Sequence, residues 1–150
     1  MTDALYWDDL AVGDAFTSRS QALTRDQIVA FATEFDPQPQ HVDETAAAAS
    51  MFGTLVASGW HTAALSMRLQ LDVVLNRFPG GSMGAQVDTL RWIRPVLPGE
   101  ALHTTTEVMA LRPSTSRTDR GWVTIRTTTS NEQGDPVQVM TASVLAPRRT

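Results

Sequence analysis

The chain of 150 residues is long enough for one domain with a sizeable core, and 42% apolar against 19% charged residues excludes an intrinsically disordered chain. The net charge of -4 argues against nucleic acid as the main partner, and the absence of cysteine excludes disulfides, thiol catalysis and thiolate metal sites. The N-terminal segment is acidic and no window reaches the roughly 18 uncharged apolar residues of a membrane span, so we expect one soluble domain over residues 1–150, located in the cytoplasm.

The first quarter of the chain predicts a short strand followed by an amphipathic helix. Residues 15–22 are rich in threonine and serine, which indicates an edge strand. Thr24 begins a capping box, and apolar residues at helical spacing then predict a helix over about residues 25–35. Pro37 ends this helix because the residue before a proline avoids helical backbone angles, so Asp36 is expected at the helix exit.

Two further helices are predicted before the chain reaches its midpoint. Acidic residues open an alanine-rich stretch, which predicts a short helix over residues 43–51. Ser58 is a good N-cap for a long helix over about residues 59–78, which Pro79 and two glycines end. Apolar side chains cover nearly the whole circumference of the long helix, which predicts that it is buried on all sides.

The second half of the chain changes to an apolar period of two, which is typical of β-strands. Strands are predicted over residues 82–94, 101–112, 122–130 and 136–146. Four strands in series with short links form an antiparallel meander, and the long helix must lie against one of its faces. The predicted class is therefore α+β, an antiparallel sheet wrapped around a long central helix, which is the hotdog fold. The open edges of such a sheet predict a homodimer.

Two stretches carry polar groups that the fold itself does not require. Asp36 and His41 form an acid/base pair, and the prolines between them limit the freedom of the turn. Ser58 and Gly59 begin the long helix, where backbone amides lack partners within the helix. We expect the two stretches to face each other across a pocket.

The pattern resembles that of the MaoC-like dehydratases, a family that includes the (R)-specific enoyl-CoA hydratases. In that family a helix exit carries Asp-x-Asn-Pro-Leu-His followed by x-Asp, and a glycine starts the central helix of the hotdog fold. The matching residues here are Asp36, Pro39, His41, Asp43 and Gly59. The order of the predicted elements also agrees, so the resemblance covers nearly the whole chain.

Three residues depart from the family pattern. Gln38 replaces the usual asparagine and Gln40 the usual leucine, and Met67 stands where many of these hydratases have a serine. The departures bear on the identity of the substrate more than on the acid/base pair.

The resemblance implies a hydratase or dehydratase that acts on a 2-enoyl or 3-hydroxyacyl thioester of coenzyme A or of acyl carrier protein. Asp36 and His41 would be the catalytic pair that holds one water. Ser58 and Gly59 would bind the substrate at the start of the long helix, where the Gly59 amide would receive the thioester oxygen. No organic cofactor and no metal is implied, because the thioester already makes the C2 proton acidic. His61, in the first turn of that helix, is expected to pack and not to react.

Two other functions remain open on the sequence. Many hotdog thioesterases carry a carboxylate on the long helix, but residues 59–71 contain no acid and Asp72 comes late. A non-catalytic acyl-binding subunit of a heterodimer would suit the departures at Gln38 and Met67.

Overall fold

The computed structural model describes residues 3–150, which form helices packed against an antiparallel sheet and so confirm the α+β class. The helices in this range are α1 (Arg25–Phe35), α2 (Pro39–Val42), α3 (Glu44–Ala48) and α4 (Gly59–Val73), with 3-10 turns at Trp7–Asp9 and Leu75–Arg77. The strands are β1 (Ala15–Thr17), β2 (Gln21–Ala22), β3 (Met83–Trp92), β4 (Ala101–Pro113), β5 (Arg120–Ser130) and β6 (Pro136–Pro147). None of these helices is long and apolar enough to cross a membrane.

The sheet keeps only part of the predicted meander. Strands β4, β5 and β6 are consecutive antiparallel neighbours, as predicted, but β3 pairs with β6, so the strand order is β1-β4-β5-β6-β3. The expectation of four strands in series is therefore wrong for β3. The free edge of β4 is occupied by β1 and β2, which leaves β3 at the opposite edge, with Trp92 across from Gln138.

The predicted strand over residues 15–22 is divided into β1 and β2 on the edge of β4. Ser18 lies at the break, where its amide donates to the Thr104 carbonyl at 2.9 Å and its hydroxyl accepts from the Thr104 amide at 2.9 Å. The side-chain oxygen replaces a backbone acceptor. The strand therefore breaks without leaving a buried amide unpaired.

Helix α1 confirms both of its predicted ends. The Thr24 hydroxyl accepts from the Gln27 amide at 3.1 Å, and the Gln27 side chain accepts from the Thr24 amide at 2.9 Å, which completes the capping box. The helix ends at Phe35, and the Asp36 amide donates to the Ala32 carbonyl at 2.8 Å as the C-cap. The carboxylate of Asp36 therefore leaves the helix at a fixed position.

The helix predicted over residues 43–51 is present as the shorter α3, and the one-turn helix α2 precedes it. Pro39 opens α2, where a missing amide hydrogen leaves no bond unmade and the fixed φ of proline suits the first helical position. This one-turn helix, predicted as a turn, carries His41. Asp43 then caps α3 by accepting from two amides of its first turn.

Helix α4 is shorter than predicted, and the prediction that it is buried on all sides is wrong. Its buried stripe is partly polar, with Thr62, Ser66 and Gln70 at four-residue spacing, whereas Trp60 and Met67 are 59% and 41% exposed. The stripe faces threonine and glutamine side chains of the sheet, to which Ser66 and Gln70 are hydrogen-bonded. Apolar coverage alone did not reveal which face of the helix meets the sheet.

A cluster of buried apolar side chains fixes the helices on the sheet. It joins Ile28 of α1, Ala47 of α3 and Leu69 of α4 to Leu102 of β4 and Val137 of β6. Full burial of one leucine or isoleucine side chain stabilises a fold by roughly 1.5–3 kcal/mol. This packing holds the exit of α1 and the start of α4 against each other, and both carry residues of the candidate site.

Candidate active site

A cavity of about 470 Å³ lies where the exit of α1, the turn of α2, the start of α4 and the end of β3 meet. Asp36, Gln38 and His41 line one side of it, and Gly59 lines the start of α4. The apolar lining consists of Phe52, Val56, Ala57, Trp60, Trp92, Ile93, Pro95 and Val96. The two stretches that the sequence predicted to face each other thus meet at one cavity.

The imidazole of His41 is buried and held in one orientation. Its Nδ1 lies 2.7 Å from the Val56 carbonyl, which can only accept, so Nδ1 carries the hydrogen. The Val56 amide in turn donates to the Gln40 carbonyl at 3.2 Å. In the neutral ring the lone pair is therefore on Nε2, which lies 3.5 Å from Oδ2 of Asp36.

The carboxylate of Asp36 accepts two side-chain hydrogen bonds. The Ser58 hydroxyl donates to Oδ2 at 2.7 Å, and the Gln38 amide donates to Oδ1 at 2.7 Å. These bonds, first that of Ser58 and then that of Gln38, lower the pKa of the Asp36 carboxyl below its usual value, with a further contribution from the charge of His41. Asp36 is therefore ionised at neutral pH.

Ser58 has a different contact from the one that the sequence predicted. It occupies the N-cap position of α4, but its hydroxyl does not cap the helix and donates to Asp36. The Ser58 carbonyl accepts from the amides of His61 and Thr62 at 3.0 and 3.1 Å. Ser58 is fully buried behind the cavity wall, so its hydroxyl positions Asp36.

Gly59 is packed directly against the indole of Trp92. A Cβ atom at residue 59 would lie 2.6 Å from the indole ring, so no larger residue fits without moving Trp92. The indole Nε1 donates to the Gly59 carbonyl at 2.9 Å. Within residues 3–150 the Gly59 amide has no acceptor, as expected for the first residue of a helix. The start of α4 lines the cavity through Gly59, and the contact with Trp92 holds it in place.

Trp92 and Gln138 belong to the surroundings of the site, and the sequence analysis did not identify them. The indole Nε1 of Trp92 also donates to the Gln138 side chain at 3.1 Å, and Gln138 donates to the Ser66 hydroxyl at 3.3 Å. The residues lie on β3, β6 and α4, and they meet only because β3 pairs with β6. The predicted topology did not contain the pairing of β3 with β6, and no local sequence pattern indicates that pairing.

His61 packs as expected. Its ring stacks on Phe31 of α1 with centroids 4.3 Å apart, and it does not line the cavity. Burial lowers the pKa of His61, so the ring is neutral at neutral pH. Its Nδ1 is buried without a hydrogen-bond partner in residues 3–150.

The other carboxylate considered from the sequence lies outside the cavity. Asp72 pairs with Arg68 at 2.7 Å and with Arg19 at 3.3 Å on the surface of α4. Over residues 3–150, no group of three or more histidine, aspartate or glutamate side chains is arranged to hold a metal ion. Among the residues that line the cavity, Asp36 carries the carboxylate and His41 the imidazole.

Comparisons with known proteins agree on the family and on the fold of this chain. The family model described as MaoC like domain matches residues 10–131. The crystal structure of a MaoC-like dehydratase from Rhodospirillum rubrum is similar to this chain with a TM-score of 0.92 and 48% identity, and the match covers 98% of this chain and 99% of that one. The near-complete match confirms the predicted hotdog fold.

Two curated proteins are similar in sequence. The uncharacterized protein YdeM of Bacillus subtilis (strain 168) is 34% identical over 143 residues, which cover 94% of this chain and 98% of YdeM. The 3-hydroxybutyryl-CoA dehydratase of Methylorubrum extorquens is 34% identical over 115 residues, which cover 75% of this chain and 69% of the dehydratase.

The contacts of Asp36 generate a prediction that is independent of any reaction. Ser58→Ala should raise the pKa of the Asp36 carboxyl, because the ionised form loses its strongest hydrogen bond while α4 loses no cap. Gln38→Ala is the matched variant and should raise the pKa of Asp36 by less. NMR titration of the Asp36 carboxyl carbon measures both. An unchanged titration in Ser58→Ala would contradict this description of the site.

Proposed function

We propose that this chain, which belongs to the MaoC-like domain family, adds water to 2-enoyl thioesters and removes it from 3-hydroxyacyl thioesters. Coenzyme A is the proposed carrier of the acyl group. The similarity to a 3-hydroxybutyryl-CoA dehydratase at 34% identity supports both the reaction class and this carrier. Acyl carrier protein presents the same thioester and is the alternative carrier.

One observation carries the proposal, namely two hydrogen-bond acceptors that face each other at the cavity. Oδ2 of Asp36 and Nε2 of His41 are 3.5 Å apart, and the hydrogen of the neutral ring is committed to the Val56 carbonyl. A single water has two hydrogens and can donate one to each acceptor. The pair would thus hold the water with its oxygen lone pairs directed at the substrate.

Each atom of the water has a defined destination in the proposed hydration. The water oxygen bonds to C3 while the Asp36 carboxylate, as base, takes a proton, and His41 positions the water and shares that proton. The electrons of the C2–C3 double bond move toward the thioester oxygen as an enolate. The proton then returns to C2, the enolate becomes the 3-hydroxyacyl thioester, and the pair regains its starting state. Dehydration follows the same steps in reverse.

The start of α4 would stabilise the enolate charge. Gly59 lines the cavity, its amide lacks an acceptor within residues 3–150, and the positive end of the helix dipole lies there. An amide fixed before the reaction costs no reorganisation when charge develops on the thioester oxygen. Loss of one such donor typically costs about 3 kcal/mol of barrier.

The departure from the family pattern at residue 38 is compatible with catalysis. Gln38 stands where the family has asparagine, yet its amide still donates to Asp36 at 2.7 Å. The longer side chain supports the ionised carboxylate, which the proposed base requires. At the departure on α4, Met67 is exposed while its neighbour Ser66 is buried against the sheet. A serine hydroxyl is thus present one residue before the expected position.

We also propose that the protein is a homodimer formed along β3. This strand ends the sheet and has one edge without a partner strand in residues 3–150. Its exposed side chains include Met83 and Val87, which are 53% and 55% exposed. A long exposed edge strand with apolar side chains is a site for pairing with another chain. Pairing with the same strand of a second copy would cover it symmetrically.

The dimer is tested by sedimentation of the purified chain. We expect twice the chain mass for the wild type and dissociation toward the monomer in Val87→Lys, because two like charges would meet at the symmetric edge. Val12→Lys is the matched control, since Val12 is 64% exposed and lies outside β3. A wild type that sediments as a monomer at all concentrations would rule out the dimer.

The catalytic pair is tested by following the loss of conjugated-thioester absorbance with trans-2-enoyl-CoA substrates. Asp36→Asn and His41→Ala should each lower kcat by at least about 100-fold, the typical contribution of a positioned acid or base. Asp72→Asn and His103→Ala are matched controls on residues outside the cavity and should retain activity. Full activity in either Asp36→Asn or His41→Ala would exclude the proposed roles.

A further inference from the structure

A second cavity lies further along the same interface between α4 and the sheet. Its volume is about 380 Å³. Its lining is mainly apolar and includes Met67 of α4, Val87 of β3, Ile125 of β5, and Met140 and Val144 of β6. Nothing in the proposed reaction uses this cavity.

Three side chains separate the two cavities, and we call them the polar partition: Ser66, Trp92 and Gln138. The Gln138 Oε1 accepts from the Trp92 indole at 3.1 Å, and its Nε2 donates to the Ser66 hydroxyl at 3.3 Å. Ser66 and Gln138 are 1% and 0% exposed, so both side chains are buried within the interface between α4 and the sheet. The hydroxyl of Ser66 also bonds to Thr129 at 2.6 Å, which ties the partition to β5.

The order of residues along each element places the partition between the cavities. On α4, the active-site cavity contacts Thr62 and the second cavity contacts Gln70, with Ser66 midway between them. On the sheet, Trp92 lines the active-site cavity and pairs with Gln138, and Met140, two residues further along β6, lines the second cavity. On α4 and on the sheet alike, the residues of the polar partition follow those that line the active-site cavity and precede those that line the second cavity.

The partition limits the depth available to an acyl group. Gly59, the proposed contact of the thioester oxygen, is seven residues before Ser66 on α4, which corresponds to roughly 10 Å at 1.5 Å per residue. An extended acyl chain advances by about 1.25 Å per bond, because bonds of about 1.5 Å meet at about 111°, so about eight bonds would span that distance. A longer acyl chain directed along the helix would meet the buried amide of Gln138.

We propose that Gln138 ends the acyl cavity and restricts the substrates to acyl chains of no more than about eight carbons. The inference rests on the proposed function, since it assigns a substrate class to the same site. It makes Gln138 a specificity-determining residue, with no part in the proton transfers.

Gln138 is the member of the partition that can be removed without leaving a polar side chain unpaired. Without it, the Trp92 indole still donates to the Gly59 carbonyl at 2.9 Å. The Ser66 hydroxyl still has the Thr62 carbonyl at 2.8 Å and the Thr129 hydroxyl. Truncation at residue 138 therefore opens space with no new unsatisfied group, which is the condition under which a polar deletion is tolerated.

The experiment compares kcat/KM for four-carbon and twelve-carbon trans-2-enoyl-CoA in the wild type, Gln138→Ala and Gln138→Met. We expect the wild type to prefer the four-carbon substrate. Gln138→Ala should raise the ratio of twelve-carbon to four-carbon kcat/KM by at least about tenfold, because it connects the two cavities. Gln138→Met has nearly the same volume without the amide and should keep the wild-type ratio, which distinguishes blocked space from lost hydrogen bonds.

The outcomes separate this inference from the proposed function. A wild type that hydrates both substrates equally well overturns the inference and leaves the proposed function standing. A wild type that hydrates neither substrate overturns both. If Gln138→Ala keeps four-carbon activity without gaining twelve-carbon activity, the assignment to Gln138 fails. If Gln138→Ala does not fold, Gln138→Val, a smaller truncation, takes its place, and an unchanged ratio of twelve-carbon to four-carbon kcat/KM in that variant overturns the assignment to Gln138.

Discussion

The hydrogen bond between Nδ1 of His41 and the Val56 carbonyl is the interaction on which the site depends. At 2.7 Å it fixes the tautomer of a buried ring and aims Nε2 at Asp36. It also joins α2 to the segment that leads into α4, a join that the Val56 amide completes by donating to the Gln40 carbonyl. Asp36, His41 and the first amide of α4 are thus held by one connected segment of the chain. Ser58 completes this segment because its hydroxyl reaches back to the carboxylate.

The polar interface between α4 and the sheet connects the fold to the site. A hydrogen bond contributes only about 1 kcal/mol net to stability, but a buried polar group without a partner costs about 1–3 kcal/mol. The Gln70 side chain accepts from Thr127 at 2.9 Å, and Ser66 bonds to Thr129 at 2.6 Å. A shift of α4 along the sheet would break these bonds together. The network therefore specifies one position of the helix, and with it the position of Gly59 at the cavity.

The parts of the fold and of the site that depend on residues close together in the sequence were predictable. The capping box at Thr24 and the proline after Asp36 gave both ends of α1, and the spacing from Asp36 to His41 indicated a pair at one pocket. Contacts between distant elements were not predictable in the same way. The position of β3 at the edge of β6 depends on competition for the edge of β4, and the packing of Trp92 on Gly59 follows from that position. The residue type of Ser58 suggested a helix cap, but an acceptor 22 residues away in sequence took its hydroxyl.

The central claim is that Asp36 and His41 act as one unit on one water, and a double-mutant cycle tests it most directly. The cycle compares kcat for Asp36→Asn, His41→Ala and the variant that carries both changes. Groups that act together on one water give strongly non-additive losses. If the two residues act on one water, the kcat of the double variant should be about equal to the kcat of the less active single variant. Losses that multiply would show two independent contributions and contradict the shared water.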